Sequence, residues 1–543
     1  MPSQHTTLAA LIDLLQGEGL LVSVTNPPTD AAAVGVCGCD CDSRVAAAGH
    51  VFVCKGRAFR PAFLTSALGA GCVAYLCNEE LADQLAQTAP DACGLVVNDI
   101  RRAMGIASPE AWGHPDRDLT VIGITGTKGK TTVAYMLHSI LDGSGVGDTD
   151  EKGASGQPAH RAGIMGSIDI FDGIEHFESV NTTPEAPDLW RHLANARDAG
   201  LAYMVMEVAS QGLKYDRVLG LDIDVALFLN IGRDHLSPVE HPDFEDYFAS
   251  KLEIFDQAHM AVVCADSDHA DRILAHAAVC ERVLTFSLAD SSADLWASDV
   301  RIDPGHTAFV AHTPTRTLDV DLGMGGLFNV TNALAALATC EVLGTGADAC
   351  AAGLSRARVP GRMELLGNAS SLVVGLVDYA HNKLSYQAFG ASLAQEFPGR
   401  AVITVLGAPG DKAYERRTEL PQEAAKWSDL LIYTEEDPAH ERVEDICGQM
   451  AEATPGGQAF EVIPDRTEAI FRAVEAALSV NGPSVVCLLA KGDETRQHEG
   501  DEFVPMEPDG SVFMRALNEL AGDTGSAGEK GRPVSPDQGN EGA

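Results

Sequence analysis

The segment TVIGITGTKGKTTVAYMLHSIL at 120–141 constrains the fold more than any other stretch. Its β-branched first half is too uniformly apolar for a strand with one wet face, so it belongs in a sheet covered by helices on both sides. Glycines then interrupt the pattern, and helical spacing resumes near Thr131. A buried strand that turns through glycines into a helix aims backbone N–H groups and a helix N-terminus at one point, the arrangement that surrounds phosphate oxygens. Gly126 and Gly129 let the backbone approach an anion, Lys130 neutralises β- and γ-phosphate charge, and the Thr131 hydroxyl helps hold Mg²⁺. The spacing is not the strict GxxxxGK[ST], because Ile124 stands five residues before Gly129. GKT between a strand and a helix still predicts a nucleotide site.

The remaining chain supplies the frame for that loop. At 543 residues and 45% hydrophobic composition it exceeds one ordinary core and should divide into three or four domains. Residues 1–115 alternate strand-like VGVCG, HVFVCKG, CVAYLC and CGLVV with helical pieces, a small α/β domain, and SPEAWGHPDRD at 108–118 reads as a linker. Over 116–357, TVIGITG, AYMVMEV, DVALFLN, MAVVCAD and RVLTFS predict a mostly parallel sheet. After a Pro-Gly turn in SRARVPGRMELL, the strands LVVGLVDYA, AVITVLG, DLLIYT and SVVCLLA predict a third α/β unit over 358–520. Residues 521–543, rich in Gly, Ser and Pro, read as a disordered tail.

Charge narrows the partners. With 38 basic against 78 acidic residues, a net −40, a broad electrostatic grip on nucleic acid or an anionic membrane is excluded, and a phosphorylated ligand must be held locally. Thirteen cysteines show no CxxC ladder; Cys37, Cys39 and Cys41 alternate, but no matching cluster completes a zinc site, so reduced, buried thiols are expected. The first residues lack a basic n-region, and no run of about 18 apolar residues occurs. A cytoplasmic protein without membrane insertion, acting as a monomer, is expected.

Glu207 closes AYMVMEV and His235 follows DVALFLN, so parallel strands would bring both to the sheet edge that carries the phosphate loop, where carboxylate and imidazole can hold Mg²⁺. Each taken alone also reads as a strand-end polar residue. The stretch TGTKGKTT at 125–132, which adds Thr127, Lys128 and Thr132 to the loop, resembles the ATP loop of the Mur ligases and the related folylpolyglutamate synthetases, with Lys128 where Asn is usual. MEVASQGL, NIGRDHL and YFASKLEIF resemble the central domain of the MurE branch, which adds the third residue of a UDP-linked cell-wall peptide. In that branch the lysine matching Lys251 is carbamylated by CO₂, which turns a cation into an anion able to approach a second Mg²⁺. The resemblance therefore implies a metal set of Thr131, Glu207, His235 and carbamylated Lys251.

It implies ligand contacts as well. Asn181, Thr182 and Thr183 in NTTPE resemble a muramoyl-peptide segment, and Ser210 and Arg217 in ASQGLKYDRV match residues on the same ligand; Ala209 replaces the first Ser of the usual SSHAL. DSRVAAAGHVFVCKG resembles a uridine-binding domain, with Ser43 and Arg44 as candidates, though DSR also reads as a turn. GLFNVTNALAALA resembles the FNxxN signature whose Asn329 and Asn332 would face adenine, since a carboxamide pairs with donor and acceptor edges alike. Arg362 in GRMELL and Asp378 in VDYAH match residues near phosphates and ribose. The implied fold is a three-domain α/β Mur ligase: an N-terminal uridine-binding domain, a central P-loop ATPase sheet and a C-terminal Rossmann-like domain.

Diaminopimelate-adding members carry DNPR, whose Arg forms a bidentate pair with the extra carboxylate. Here the segment is EDPA, Glu436 to Ala439; without the guanidinium that carboxylate stays unpaired, and Asp437 attracts an ammonium instead. GAPGDKAYERR and AKGDETRQ resemble the lysine-adding branch, with Arg417 for the α-carboxylate and Asp493 and Glu494 for the amino end. The implied activity is an ATP-dependent ligase joining L-lysine to UDP-N-acetylmuramoyl-L-alanyl-D-glutamate through an acyl phosphate, with His381 as a candidate base. Ornithine, one methylene shorter, and diaminopimelate stay open as amino acids. Folylpolyglutamate synthesis and a non-catalytic nucleotide-binding module stay open as functions.

Overall fold

The computed structural model describes residues 4–56, 58–143, 161–232, 240–368 and 370–526, the last five as backbone. The chain forms two compact units. The first comprises Met1–Val300, Phe309–Leu322 and Val330–Ala357, and the second Arg301–Ala308, Gly323–Asn329 and the described residues of Arg358–Ala543.

In the first unit the uniformly apolar runs become a parallel sheet. Strands Ala162–Met165, Tyr203–Glu207, Thr120–Thr125, Ile223–Phe228, Ala258–Cys264 and Arg282–Ser287 lie side by side in that order, all parallel. Register pairs Ile124 with Glu207 and Thr125 with Phe228, so the strand feeding the phosphate loop is flanked on both sides by strands ending at the same edge. The short strands Asp169–Phe171 and His176–Glu178 on one side, and Leu295–Asp303, His306–His312 and Thr317–Leu322 on the other, extend the sheet to eleven. Helix Lys130–Asp142 is buried over nearly its whole circumference, which its apolar composition requires. A second, five-stranded sheet in this unit orders Leu21–Thr25, Gly94–Val97, Ala74–Asn78, His50–Cys54 and Gly38–Asp40, with only the first pair antiparallel.

Residues 108–118 are not an extended linker. Helix Ile100–Trp112 runs through Ser108 and Pro109 to a left-handed cap at Gly113, and a short 3₁₀ turn covers Pro115–Asp118. Pro109 removes one backbone donor, but Ser108 Oγ caps the Met104 carbonyl at 2.7 Å and Trp112 Nε1 donates to the Cys39 carbonyl at 3.2 Å, so packing outweighs the proline signal.

The second unit holds a six-stranded sheet in the order Glu364–Leu366, Val373–Asp378, Ser484–Leu489, Ala401–Leu406, Leu430–Tyr433 and Ala459–Val462, parallel except for its first strand. Separate cores form on its two faces, one around Tyr386, Phe389, Leu393 and Leu420, the other around Ile470, Val474 and Phe513. That is a doubly wound arrangement. The last helix, Asp509–Ser526, extends past Ala521, where the tail was expected to begin, because Val512, Phe513 and Ala516 anchor it to the core; 527–543 lie outside the described residues.

All thirteen cysteines are unbridged, twelve of them buried. Among the described residues no helix is long and apolar enough to cross a membrane.

Candidate active site

The phosphate loop is shaped from both sides. Gly126 and Gly129 take φ values of +149° and +88°; a Cβ on Gly129 would collide with Asn332 Oδ1, so the cradle exists only without one. Asn230, quoted in NIGRDHL but given no role from sequence, clamps the loop: its Oδ1 accepts the Lys128 N–H at 2.8 Å and its Nδ2 donates to the Lys128 carbonyl at 3.0 Å. Thr127 ties the loop to the sheet edge, its hydroxyl 3.1 Å from the Tyr247 hydroxyl and accepting the Gly232 N–H at 3.0 Å. Thr131 and Thr132 sit buried in the first turn of the following helix. Lys130 Nζ folds back to the Gly126 carbonyl at 3.0 Å. Lys251, at the end of helix Phe244–Leu252 and 2% exposed, brings its Nζ to the same carbonyl at 3.0 Å.

Glu207 is buried at the neighbouring strand end. Its Oε1 accepts the Ser167 N–H at 2.8 Å and its Oε2 the Ser167 hydroxyl at 3.2 Å, while Ser167 Oγ lies 3.0 Å from Thr182 Oγ1. Ser167, unmarked in the sequence, thus links Glu207 to the NTTPE segment. A buried carboxylate, a helix-start hydroxyl and a loop of backbone amides form a hard-oxygen and N–H set that fits Mg²⁺ and a polyphosphate. Lys251 fits a metal only once its cation is removed. His235 lies outside the described residues.

Of the peptide-binding candidates, Thr183 and Arg217 form one connected array. Thr183 Oγ1 donates to the Glu207 carbonyl and accepts the Ala209 N–H, both at 2.9 Å. Arg217 donates to the Thr183 carbonyl at 2.9 Å and pairs with Glu185 at 2.8 Å, and Glu185 also pairs with Lys55, just past the strand His50–Cys54. Ser210 Oγ stands 2.9 Å from His241 Nε2, whose Nδ1 is 2.6 Å from Asp246. Asn181 is exposed. Arg44 is exposed and folds onto Asp42 in a tight turn, next to the half-buried Ser43, which is the alternative the DSR sequence left open.

In the second unit the amino-acid candidates meet a lysine that carried no role at the sequence level. Lys491, 1% exposed, bonds Asp437 at 2.9 Å and Glu494 at 2.5 Å. Burial pulls its pKa down, but Glu494 and Asp437 more than offset this and leave it raised; Asp437 is lowered, Lys491 prevailing over burial. Glu436 is buried with Oε2 unpartnered, and burial, opposed in part by Arg416, pushes its pKa up to about 7. Tyr379 donates to Glu494 at 3.1 Å, and Arg362 lies over the Tyr379 ring, 3.8 Å from Asp493. Asp378 caps the Met363 and Ala380 N–H groups, both at 2.8 Å, and Asn329 Nδ2 donates to the Gly325 carbonyl at 2.6 Å. Arg417 is committed elsewhere: it makes a two-point pair with Glu441 at 2.9 and 2.7 Å and donates to the Pro409 carbonyl at 3.0 Å.

A glycine loop opening a helix at the edge of a parallel sheet, with a buried carboxylate beside it and a second doubly wound unit, defines a nucleotide-binding α/β protein of the P-loop class. Residues 124–340 match the Mur ligase middle domain and residues 361–492 the Mur ligase glutamate ligase domain. The chain is 36% identical to a UDP-N-acetylmuramyl-tripeptide synthetase of Bifidobacterium longum, covering 94% of this chain and 99% of that protein. It is 32% identical to a UDP-N-acetylmuramoyl-L-alanyl-D-glutamate–L-lysine ligase of Enterococcus faecalis over the same shares. Among solved structures, MurF from Acinetobacter baumannii aligns with a TM-score of 0.64 at 22% identity, covering 96% of this chain and 100% of that one, a likeness of fold. The chain belongs to the Mur ligase family, and is an ATP-dependent peptide ligase.

Proposed function

We propose that this protein adds L-lysine as the third residue of UDP-N-acetylmuramoyl-L-alanyl-D-glutamate. The observation that carries this reading is the acidic cluster around Lys491: Asp437 and Glu494 set two carboxylates against one buried ammonium, and Asp493, 3.8 Å from Arg362, stands beside them, so carboxylates outnumber cations by one in the segments assigned to the amino-acid site. A surplus of negative charge favours a side-chain ammonium and disfavours the second carboxylate of diaminopimelate. The names of the relatives point the same way.

The chemistry follows from charge. The γ-carboxylate of D-glutamate attacks the γ-phosphorus of ATP, the bond to ADP breaks, and an acyl phosphate forms; the lysine α-amine then displaces phosphate. Both reactants of the first step are anionic, so stabilisation must come from fixed cations and dipoles. Lys130 and the loop amides supply these, Asn230 holds the loop in shape, and Thr131, Glu207, His235 and a carbamylated Lys251 would hold magnesium. Bound Mg²⁺ would neutralise and align the phosphate oxygens. Thr183, Ser210 and Arg217, with Asn181, Thr182, Ser43 and Arg44, are assigned to the UDP-peptide. Asn329, Asn332, Arg362 and Asp378 are assigned to ATP. His381 is the candidate base: its Nδ1 donates to the Tyr379 carbonyl at 2.7 Å, which leaves Nε2 as the basic nitrogen of the neutral ring. The enzyme acts as a cytoplasmic monomer in this reading.

Phosphate release measured with the UDP-dipeptide and a panel of lysine, ornithine and diaminopimelate tests it. Turnover with lysine is expected to exceed the others; turnover with diaminopimelate alone would overturn the assignment.

A further inference from the structure

Glu396 ends helix Lys383–Glu396 and is 3% exposed. Its Oε2 accepts the Gly305 N–H at 3.3 Å, the Gly326 N–H also favours its charged form, and its Oε1 has no partner. Burial, only partly countered by those two N–H groups, pushes its pKa up to about 7. Neither glycine is incidental. Gly305 and Gly326 take φ values of +70° and +94°, and a Cβ on the intervening Gly325 would overlap the Glu396 carboxylate. The two segments that meet the carboxylate, Arg301–Ala308 and Gly323–Asn329, belong to the second unit although they interrupt the chain of the first.

The Gly325–Gly326 turn in turn holds Asn329. The Asn329 backbone N–H donates to the Gly326 carbonyl at 2.9 Å, and its side-chain Nδ2 donates to the Gly325 carbonyl at 2.6 Å. Phe328 packs against the core cluster that contains Leu393 and Phe397, from the same helix region as Glu396. A buried carboxylate with an unpaired oxygen is unfavourable in itself, and an apolar side chain would suit its Leu393 and Phe397 neighbourhood better. What an apolar residue cannot do is accept the Gly305 N–H and set a negative oxygen against the Gly325–Gly326 turn, so fixing it. We infer that Glu396 is a positioning residue for the nucleotide base: it pins the Gly325–Gly326 turn and thereby sets the carboxamide of Asn329. This rests on the assignment of Asn329 to ATP made above.

Steady-state constants for all three substrates, measured on the full chain, test the inference. Glu396→Ala is expected to raise the KM for ATP about tenfold, the effect of losing one charge-assisted hydrogen bond, with the KM values for UDP-dipeptide and lysine within twofold of wild type. Glu396→Gln keeps an acceptor and is expected to restore the ATP value. Should Glu396→Ala not fold, Glu396→Asp, which withdraws the acceptor by one methylene, carries the same comparison. An unchanged ATP constant, a parallel rise in all three constants, or a Gln variant as impaired as the Ala variant overturns the proposal. Asn329→Ala separates the two layers. A rise in its ATP constant without one in the Glu396 variants defeats only the positioning role. No rise in Asn329→Ala defeats the adenine assignment and the positioning role together.

Discussion

The ammonium groups of Lys130 and Lys251 both donate to the carbonyl oxygen of Gly126, each at 3.0 Å. Two cations drawn to one carbonyl repel each other, and Lys251 is buried against the Tyr247 ring at 4.8 Å, where water screens little. Carbamylation of Lys251 would exchange that repulsion for attraction and supply the anion a metal needs. Activity is therefore expected to fall in CO₂-depleted buffer and return on adding bicarbonate. Lys251→Ala should lose about 10²- to 10³-fold in turnover and ignore bicarbonate, as expected for a group stabilising transition-state charge. Phosphate release under both conditions checks this; a wild-type enzyme indifferent to CO₂ removes the carbamate from the account.

Lys130 should behave differently. Its role is tied to phosphate charge alone, so Lys130→Met is expected to lower turnover by about 10²-fold or more while leaving the affinity for UDP-dipeptide within a few-fold of wild type. Calorimetric titration with the UDP-dipeptide, beside the kinetics, makes the distinction. Equal loss of both would recast Lys130 as a support of the loop.

Two buried glutamates make stability depend on pH. Burial raises Glu396 and Glu436 from 4.5 to about 7 in the folded protein. Between those values the folded state binds more protons than the unfolded one, so stability falls as pH rises from 4.5 to about 7, and the penalty is fully present above 7. Each group accounts for a loss on the order of 3 kcal/mol across that window. Melting temperatures at pH 5.5 and 8 should show a decline in the wild type and a shallower one in Glu436→Gln. An identical slope in the variant would mean that this carboxylate is solvated in solution.

Much of this architecture was legible in the sequence for one physical reason. Strands buried on both faces of a parallel sheet must be apolar throughout, so the runs ending at Thr125, Glu207 and Phe228 announce themselves, and their ends mark the site edge. The hairpin Asp169–Phe171 and His176–Glu178 was missed because three-residue strands, one of them exposed along its length, carry no periodicity. A motif names a residue without naming its partner. Arg417 looked free for a carboxylate because Glu441, 24 residues away, cannot be paired with it from spacing. Lys491 lay unread inside AKGDE for the same reason, and Ser167 and Asn230 act through positions that only the fold brings to Glu207 and Lys128.

Specificity for the incoming amino acid should be movable by charge. Asp437 already pairs with Lys491, and Ala439 holds a left-handed φ of +49° with its N–H on the His498 carbonyl at 3.0 Å, so an arginine there inherits a fixed backbone. The double variant Asp437→Asn/Ala439→Arg removes one negative charge and adds a guanidinium able to meet a second carboxylate. Its kcat/KM ratio for diaminopimelate over lysine is expected to rise about tenfold or more. Competition between the two amino acids in one assay reads the ratio directly, and no change would place the discriminating contacts elsewhere.

Arg417 offers the sharpest separation of scaffold from site. It is 3% exposed, and its hydrogen bonds, more than any other influence, hold the Glu441 pKa down at about 2. That contribution is present above pH 4.5 and lost as pH falls through 2. Lysine in place of Arg417 keeps the charge but not the planar fork, so it cannot serve both Glu441 oxygens and the Pro409 carbonyl together. Arg417→Lys is expected to destabilise the protein by about 1–3 kcal/mol, the cost of leaving buried partners unsatisfied. The lysine KM of the folded fraction should stay within twofold. An α-carboxylate grip at Arg417 predicts the reverse, a lysine KM at least tenfold higher with an unchanged denaturation midpoint. Urea denaturation and lysine kinetics on the same preparation therefore decide between a strut and a substrate contact.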